Sequence, residues 1–357
     1  MKSNYRYIKE KKIYEYRFTY QGQRLSVYGS STKECEEKAD EKKKYIREHY
    51  CLDMLNITLD EYYKLWFEEL KKVTKPSTQY NYEKKWKGIQ PILGKKKVRE
   101  ITKKDVMLMT QKLDKSPNAI NGCLKLLRQI LTAAMKDRII VYNPAMNVNC
   151  LKVEKSDAAE TVHRALTQEE TKKFLDRAKD THYYWLYQFM LNTGVRISEA
   201  LALTWDDIKA EISITKTMSK VGDKEYALMD TPKSDCSNRT IPITKNVKEI
   251  LKQQKRQNIL LFDNNTNVFL NTRGEIPTYN AVNQTIVSIT ERINIKPFTS
   301  HAFRDTFATR AVESGMNPLT LKKLMGHSSI KITMDIYAHV MPETKKNEMN
   351  KIRLFDA

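Results

Sequence analysis

From Thr58 onward, apolar residues recur at helical spacing, and hydroxyl-bearing residues stand where helices must begin. No other feature constrains the fold as tightly, because a stripe with a period of 3.6 residues cannot be buried as a strand. Thr58 opens "TLDEYYKLWFEEL", which puts Tyr62, Leu65 and Trp66 on one expected face. Ser77 or Thr78 is expected to cap the next helix, and Pro117 after Ser116 marks another start. Asn143–Pro144 stops the run, since the residue before proline is pushed out of the helical region. Further on, Thr167 and Glu170 form a capping box behind Leu166.

Residues 4–29 follow a different period. "YRYIKEKKIYEYRFTYQGQRLSVYG" alternates aromatic and polar residues around a turn at Gly22, and a charged helix follows its Ser/Thr cap. Ile212 to Ile243 is a second small sheet region. The expectation is a mainly α chain with small β-sheets in three domains. Residues 1–52 hold a three-stranded sheet plus a helix, 56–148 a helical bundle, and 166–357 a mixed α/β domain. Residues 149–165, "NCLKVEKSDAAETVHRA", lack sustained periodicity and read as a linker.

Lysine and arginine number 63 against 43 aspartate and glutamate, a formal charge of +20. A surplus that large points to a polyanionic partner. The apolar runs are short and broken by charge, so no membrane span is expected. "MKSNYRYIKEKK" has no signal-peptide core, which suggests a cytoplasmic protein. The five cysteines are scattered without a CxxC pair, indicating neither a disulfide framework nor a zinc site. On the first sheet Tyr5, Arg6, Tyr14, Arg17 and Arg24 are candidates to lie on DNA. Period-two alternation leaves open whether the aromatics are instead the packed face.

Four stretches carry chemistry. In "TGVRISEALALTWDDI", Arg196 begins a helix after Gly194, with Glu199 one turn on. The pair suits an anion site, but taken alone it reads first as a surface ion pair, which is common and weak. "LMDTPKSDCSNRTIPI" reads as strand, turn, strand with Lys233 on the turn, near Ser234 and Ser237. In "SHAFRDTFATRAVESG", Thr299 or Ser300 caps a helix whose buried stripe is Phe303, Phe307 and Ala311. His301 and Arg304 are side by side in its first turn, with His301 off that stripe. In "NPLTLKKLMGHSSIKITMDIYAHV", Asn317–Pro318 starts a helix, Gly326 ends it, and His327 sits on the turn. Ile330, Met334 and Tyr337 share a face of the last helix, so Tyr337 alone reads as a buried aromatic.

Taken in order, Arg196 with Glu199, Lys233, His301 with Arg304, His327 and Tyr337 resemble the tyrosine recombinase (phage integrase) family. The resemblance is strong over roughly the last 190 residues, a span set by the quoted motifs, and rests on layout alone before that. One departure is Asp305, where the family often has a second histidine. The lysine is also less sharply placed, since Lys216, Lys220 and Lys224 compete with Lys233.

The resemblance implies a site-specific integrase that cuts and rejoins DNA without metal or nucleotide cofactor. Arg196 and Arg304 clamp the phosphate, His327 adds a hydrogen bond, and Glu199 supports Arg196. His301 is the candidate base, Lys233 the candidate acid and Tyr337 the nucleophile that forms a 3′-phosphotyrosine. Residues 1–52 then resemble an arm-site-binding domain and 56–148 a core-binding domain. Implied partners are duplex DNA with core-type and arm-type sites and three further copies in a homotetramer. An excisionase and a host DNA-bending protein are plausible additions, and integration of a viral genome is one possible outcome. The tail "MPETKKNEMNKIRLFDA" resembles a segment packing on a neighbouring protomer. Other readings of the same residues are a topoisomerase IB-like or telomere-resolving enzyme, and a DNA-binding regulator without catalysis.

Overall fold

The computed structural model describes residues 5–10, 12–20, 23–49, 54, 56–152, 164–223, 225–229, 238–262 and 265–340. The chain divides into two compact units, Met1–Val153 and Glu154–Ala357. It is mostly helical with small antiparallel sheets, the expected class.

In the first unit, β1 (Tyr5–Ile8), β2 (Ile13–Tyr20) and β3 (Gln23–Gly29) form one sheet in that order. Tyr5 opposes Tyr16, Tyr7 opposes Tyr14, and Phe18 opposes Leu25. Side chains alternate across a strand, so these rings share one face. That face packs on α1 (Thr32–His49), where Phe18, Val27, Cys35 and Ala39 are buried. The turn expected around Gly22 lies outside the described residues.

The helical part of this unit comprises α2 (Leu59–Lys71), α3 (Pro76–Leu93), α4 (Lys103–Lys112) and α5 (Pro117–Lys136). Thr58 caps α2 in a reciprocal box with Glu61, as expected. The expected face of α2 is rotated. Leu65 is 50 % exposed, while Leu59, Tyr62, Tyr63 and Phe67 are buried. The reason is aromatic packing: Tyr63 stacks on Trp86 with centroids 4.0 Å apart, and on Phe67 at 5.3 Å. Helix α3 begins at Pro76 behind Lys75, earlier than a Ser77 or Thr78 cap would place it. Proline at the first helical position loses no bond there, because that N–H has no partner in any case.

In the second unit, α6 (Gln168–Ala178) carries the expected Thr167–Glu170 box. Next come α7 (Tyr184–Thr193) and the single turn α8 (Ile197–Ala200). Two two-stranded sheets follow. β4 (Glu211–Ile214) pairs with β7 (Arg239–Pro242), and β5 (Thr217–Lys220) pairs with β6 (Tyr226–Met229). The unit continues with α9 (Lys245–Leu261), α10 (Tyr279–Arg292), α11 (His301–Glu313), α12 (Pro318–Met325) and α13 (Ile330–Val340). Phe174, Tyr187, Phe298 and Phe303 form an aromatic knot in its core. A second cluster under α13 is built from Ala308, Ala311, Val312, Leu321 and Met325.

The inner face of α13 is not the expected one. Ile330 and Met334 are 38 % and 46 % exposed, whereas Thr333 is fully buried and Ile336, Tyr337 and Val340 are half-buried. The helix turns its buried hydroxyl inward because His327 waits there as a partner. A buried hydroxyl left without one would cost about 1–3 kcal/mol. Among the described residues, no helix is long and apolar enough to cross a membrane.

Candidate active site

The site is assembled around the C-terminal end of α12. Gly326 ends that helix in the left-handed region at φ 63°, and His327 follows on the turn. A helix C-terminus leaves carbonyls without intrahelical partners and carries the negative end of the dipole. Three arginines from three separate elements meet it. Arg239 Nε donates to Leu324 O at 2.7 Å, Arg304 Nη2 to Met325 O at 2.5 Å, and Arg196 Nη2 to Gly326 O at 3.4 Å. Each of three successive carbonyls therefore accepts from a different guanidinium.

Arg196 directly precedes α8, which is only one turn long, so the arginine rather than the helix dipole supplies the positive charge. Glu199, buried at 5 % exposure, holds it from both sides. Arg196 Nη1 donates to Oε1 at 2.8 Å and the Arg196 backbone N–H to Oε2 at 2.9 Å. The same carboxylate takes a fork from Arg239, Nη1 to Oε1 at 3.1 Å and Nη2 to Oε2 at 2.7 Å. Burial pushes the Glu199 carboxyl up, but the hydrogen bond and charge of Arg239, then Arg196, outweigh it and bring the pKa to about 2.

Arg304, 3 % exposed, is built into the interior. Its Nη1 donates to Gly194 O at 2.7 Å, complementing the bond to Met325. Gly194 ends α7 at φ 65°, and a Cβ there would fall 2.4 Å from Phe307 Cδ1 and 2.9 Å from Met325 Sδ. Only glycine lets α7, α11 and α12 close on this point. Burial, then the charges of Arg196 and Arg239, lower the Arg304 pKa to about 9, with Glu199 opposing. The cation is held in a site that favours the arrival of a negative charge.

His327 is 6 % exposed and its Nδ1 lies 3.0 Å from the Thr333 hydroxyl. Burial, then Arg304, Arg196, Arg239 and His301, lower its pKa to about 4. At neutral pH the ring is uncharged. Where the Thr333 hydroxyl donates to Nδ1, the proton sits on Nε2, from which it can be donated. His301 is half-exposed at the start of α11, with Nε2 3.8 Å from Asp305 Oδ1. Ser300 stands at the expected cap position, but its side chain makes no cap bond there.

The structure thus gathers Arg196, Glu199, Arg304, His301 and His327, and holds Tyr337 elsewhere. The Tyr337 hydroxyl donates to the carbonyl of Met316, which follows the C-terminal end of α11, while His301 opens that helix. Its ring packs with Phe307, Met316, Ile336 and Val340 around the second cluster. Desolvation raises its pKa. In this state the phenol is not activated.

Lys233, with Ser234 and Ser237, lies outside the described residues, as do Lys224, the 153–163 stretch and the tail beyond Val340. Of the competing lysines, Lys216 is engaged with Asp207 at 3.0 Å. Sequence reasoning missed Arg239 and Thr333. Arg239 stands in "NRTIPI", quoted only for the nearby lysine, and an arginine at the start of a strand reads as solvent-facing. Only the fold shows its side chain 5 % exposed against Glu199.

The five N-terminal residues expected on DNA divide between the two faces of the sheet. Tyr5 and Tyr14 belong to the face packed on α1, with the Tyr5 hydroxyl 2.6 Å from Glu36 Oε1. Both rings are only partly buried there. Arg6 and Arg17 are exposed on the opposite face, and Arg24 is placed only by its backbone opposite Thr19. Arg17 forks onto Glu15, Nε to Oε1 at 2.9 Å and Nη2 to Oε2 at 3.0 Å.

Among the described residues, no group of three or more His, Cys, Asp or Glu is placed to hold a metal ion. Comparison with known proteins adds six findings. Residues 164–344 match the model of the phage integrase family, and 58–113 match the phage integrase N-terminal SAM-like domain. A "Tyrosine recombinase XerC-like" protein of Caldanaerobacter subterraneus subsp. tengcongensis is 27% identical over 92% of this chain and 91% of its own. The "ICEBs1 integrase" of Bacillus subtilis is 26% identical over 71% of this chain and 70% of its own. Among solved structures, the Tn1549 transposon integrase in complex with transposon right end DNA has a TM-score of 0.70 at 23% identity, covering 83% of this chain and 99% of that one. A lambda integrase tetramer bound to a Holliday junction has a TM-score of 0.61 at 19% identity, over 92% and 96%.

Proposed function

The chain belongs to the phage integrase family and is a tyrosine recombinase of the conjugative-transposon integrase type, and we propose that it integrates or excises a mobile element through a covalent bond between Tyr337 and DNA. The observation that carries this reading is the convergence of Arg196 and Arg304 beside a buried, neutral His327. A phosphodiester carries one negative charge, and its pentavalent transition state concentrates more charge on the non-bridging oxygens. Two fixed guanidiniums and the His327 Nε2–H meet that charge without reorganising, which is where such sites gain most of their rate.

In the proposed step, Tyr337 leaves the Met316 carbonyl, gives its proton to His301 and attacks phosphorus. The bond to the 5′ oxygen breaks, and that oxygen takes a proton from Lys233. The new ester is close in energy to the old one, so a 5′ hydroxyl from a second duplex can reverse the step with no nucleotide cofactor. Two duplexes require four protomers, and the lambda integrase tetramer on a Holliday junction supports that stoichiometry here. Residues 1–52 and 56–148 act as separate modules on arm-type and core-type DNA. Arg6 and Arg17, on the face away from α1, are N-terminal contacts, together with Arg24. An excisionase and a host bending protein complete the set of partners, and the reaction takes place in the cytoplasm. The chemistry is the same for a viral element as for a conjugative one.

The test is a nicked suicide duplex spanning the joined ends of the element that encodes the chain. Wild type should form a covalent adduct and Tyr337→Phe none; a persisting adduct would refute the nucleophile. With a 5′-bridging phosphorothiolate, Lys233→Ala should recover cleavage, because a thiolate leaves without an acid. Failure to recover would move the acid's role to another group.

A further inference from the structure

Glu199 is shared. Its two oxygens accept the backbone N–H and one guanidinium N–H of Arg196 and a fork from Arg239; Glu199 and Arg239 are buried, while the Arg196 side chain keeps 36% of its surface exposed. A carboxylate bound to Arg196 alone would neutralise the charge that a phosphate needs. With Arg239 present, Arg196, Glu199, Arg239 and Arg304 together keep two net positive charges. That sum matches the two negative charges of the pentavalent transition state rather than the single charge of the ground state, and matching the transition state is what accelerates a reaction. Arg239 also ties Glu199 to Leu324, two residues before the glycine that presents His327.

We propose that Arg239 is a positioning residue for strand cleavage, which neutralises Glu199 so that Arg196 faces the scissile phosphate as an uncompensated cation. The inference rests on the recombinase reading above. It assigns to a buried strand arginine a task separate from holding the fold. Without it, Glu199 is free to draw the Arg196 guanidinium toward itself.

The test measures single-turnover adduct formation by the full chain on the nicked duplex defined above, at saturating protein. Absence of adduct with wild type would sink the recombinase reading itself and is thereby distinguished from failure of this inference. Given wild-type adduct, Arg239→Gln should slow its formation about 10- to 100-fold, by analogy with the loss when the orienting partner of a metal-ligating side chain is removed. Arg239→Lys should recover part of the loss, because it restores the charge without the fork. On a duplex whose scissile group is a methylphosphonate, one non-bridging oxygen and the negative charge are gone. The Arg239→Gln deficit should then shrink to within about twofold, the usual limit of additivity. Arg239→Gln should add no further loss to Arg196→Ala. A deficit equal on both substrates, or one that multiplies with Arg196→Ala, would show that Arg239 only supports the fold. Should Arg239→Gln lack a cooperative melt, the same two comparisons with Arg239→Lys decide the matter.

Discussion

His327 offers the sharpest check on the electrostatics of the site. Its imidazole is buried, and three guanidiniums act on it, so the pKa falls from the ordinary 6.5 to about 4. Each pKa unit is worth about 1.4 kcal/mol, so the neutral ring is favoured by about 3 kcal/mol. The unfolded chain binds this proton below pH 6.5 and the folded chain does not until about pH 4. Stability from this group is therefore complete above 6.5 and declines as the pH falls through that window, by about 2.5 kcal/mol at pH 4.5. His327→Asn keeps an acceptor for Thr333 and cannot titrate. Urea unfolding of the two proteins at pH 7 and pH 4.5 should show the wild type losing about 2.5 kcal/mol more than the variant. Carboxylates that titrate in the same range cancel in the difference. Carbon-13 NMR of the six histidines gives a direct reading, with the His327 signal identified by its loss in the variant. Titration of that signal at or above pH 6.5, or equal acid losses in the two proteins, would refute the argument.

Three further outcomes are expected. Glu199→Gln removes the buried counter-charge of Arg239 and should destabilise the chain by about 3–5 kcal/mol in thermal or urea unfolding; a loss under 1 kcal/mol would mean the pair is solvated. Thr333→Val removes the hydroxyl that sets the His327 tautomer and should slow adduct formation about tenfold, the lower end for an orienting partner. Thr333→Ser should restore the rate, and a slow serine variant would argue that packing is responsible. Arg17→Ala should weaken binding of arm-site duplexes and lower the slope of log affinity against log salt by about 1, as expected for one lost phosphate contact; an unchanged slope would place Arg17 off the DNA.

Much of the fold was legible because it is written in local signals. The caps at Thr58 and Thr167, the proline starts at Pro117 and Pro318, and the glycine ends at Gly194 and Gly326 all stand where they were expected. Each depends on residues within one turn, which sequence displays directly. The misplaced faces of α2 and α13 fail for the opposite reason. Tyr63 turns inward because Trp86 waits on another helix, and Thr333 because His327 does. Periodicity states that a face exists and leaves its partner unnamed.

The sequence by itself determined the period of each segment, the helix ends and the order of Arg196, His301, Arg304, His327 and Tyr337 along the chain. Tertiary structure alone decided what these groups face. It revealed Arg239 as a buried counter-ion, shared Glu199 between two arginines, and aimed the Tyr337 hydroxyl at Met316. The physical reason is distance along the chain. Arg239 and Leu324, or Arg304 and Gly194, meet only once helices and strands have packed, and a pKa depends on those meetings rather than on neighbours in sequence.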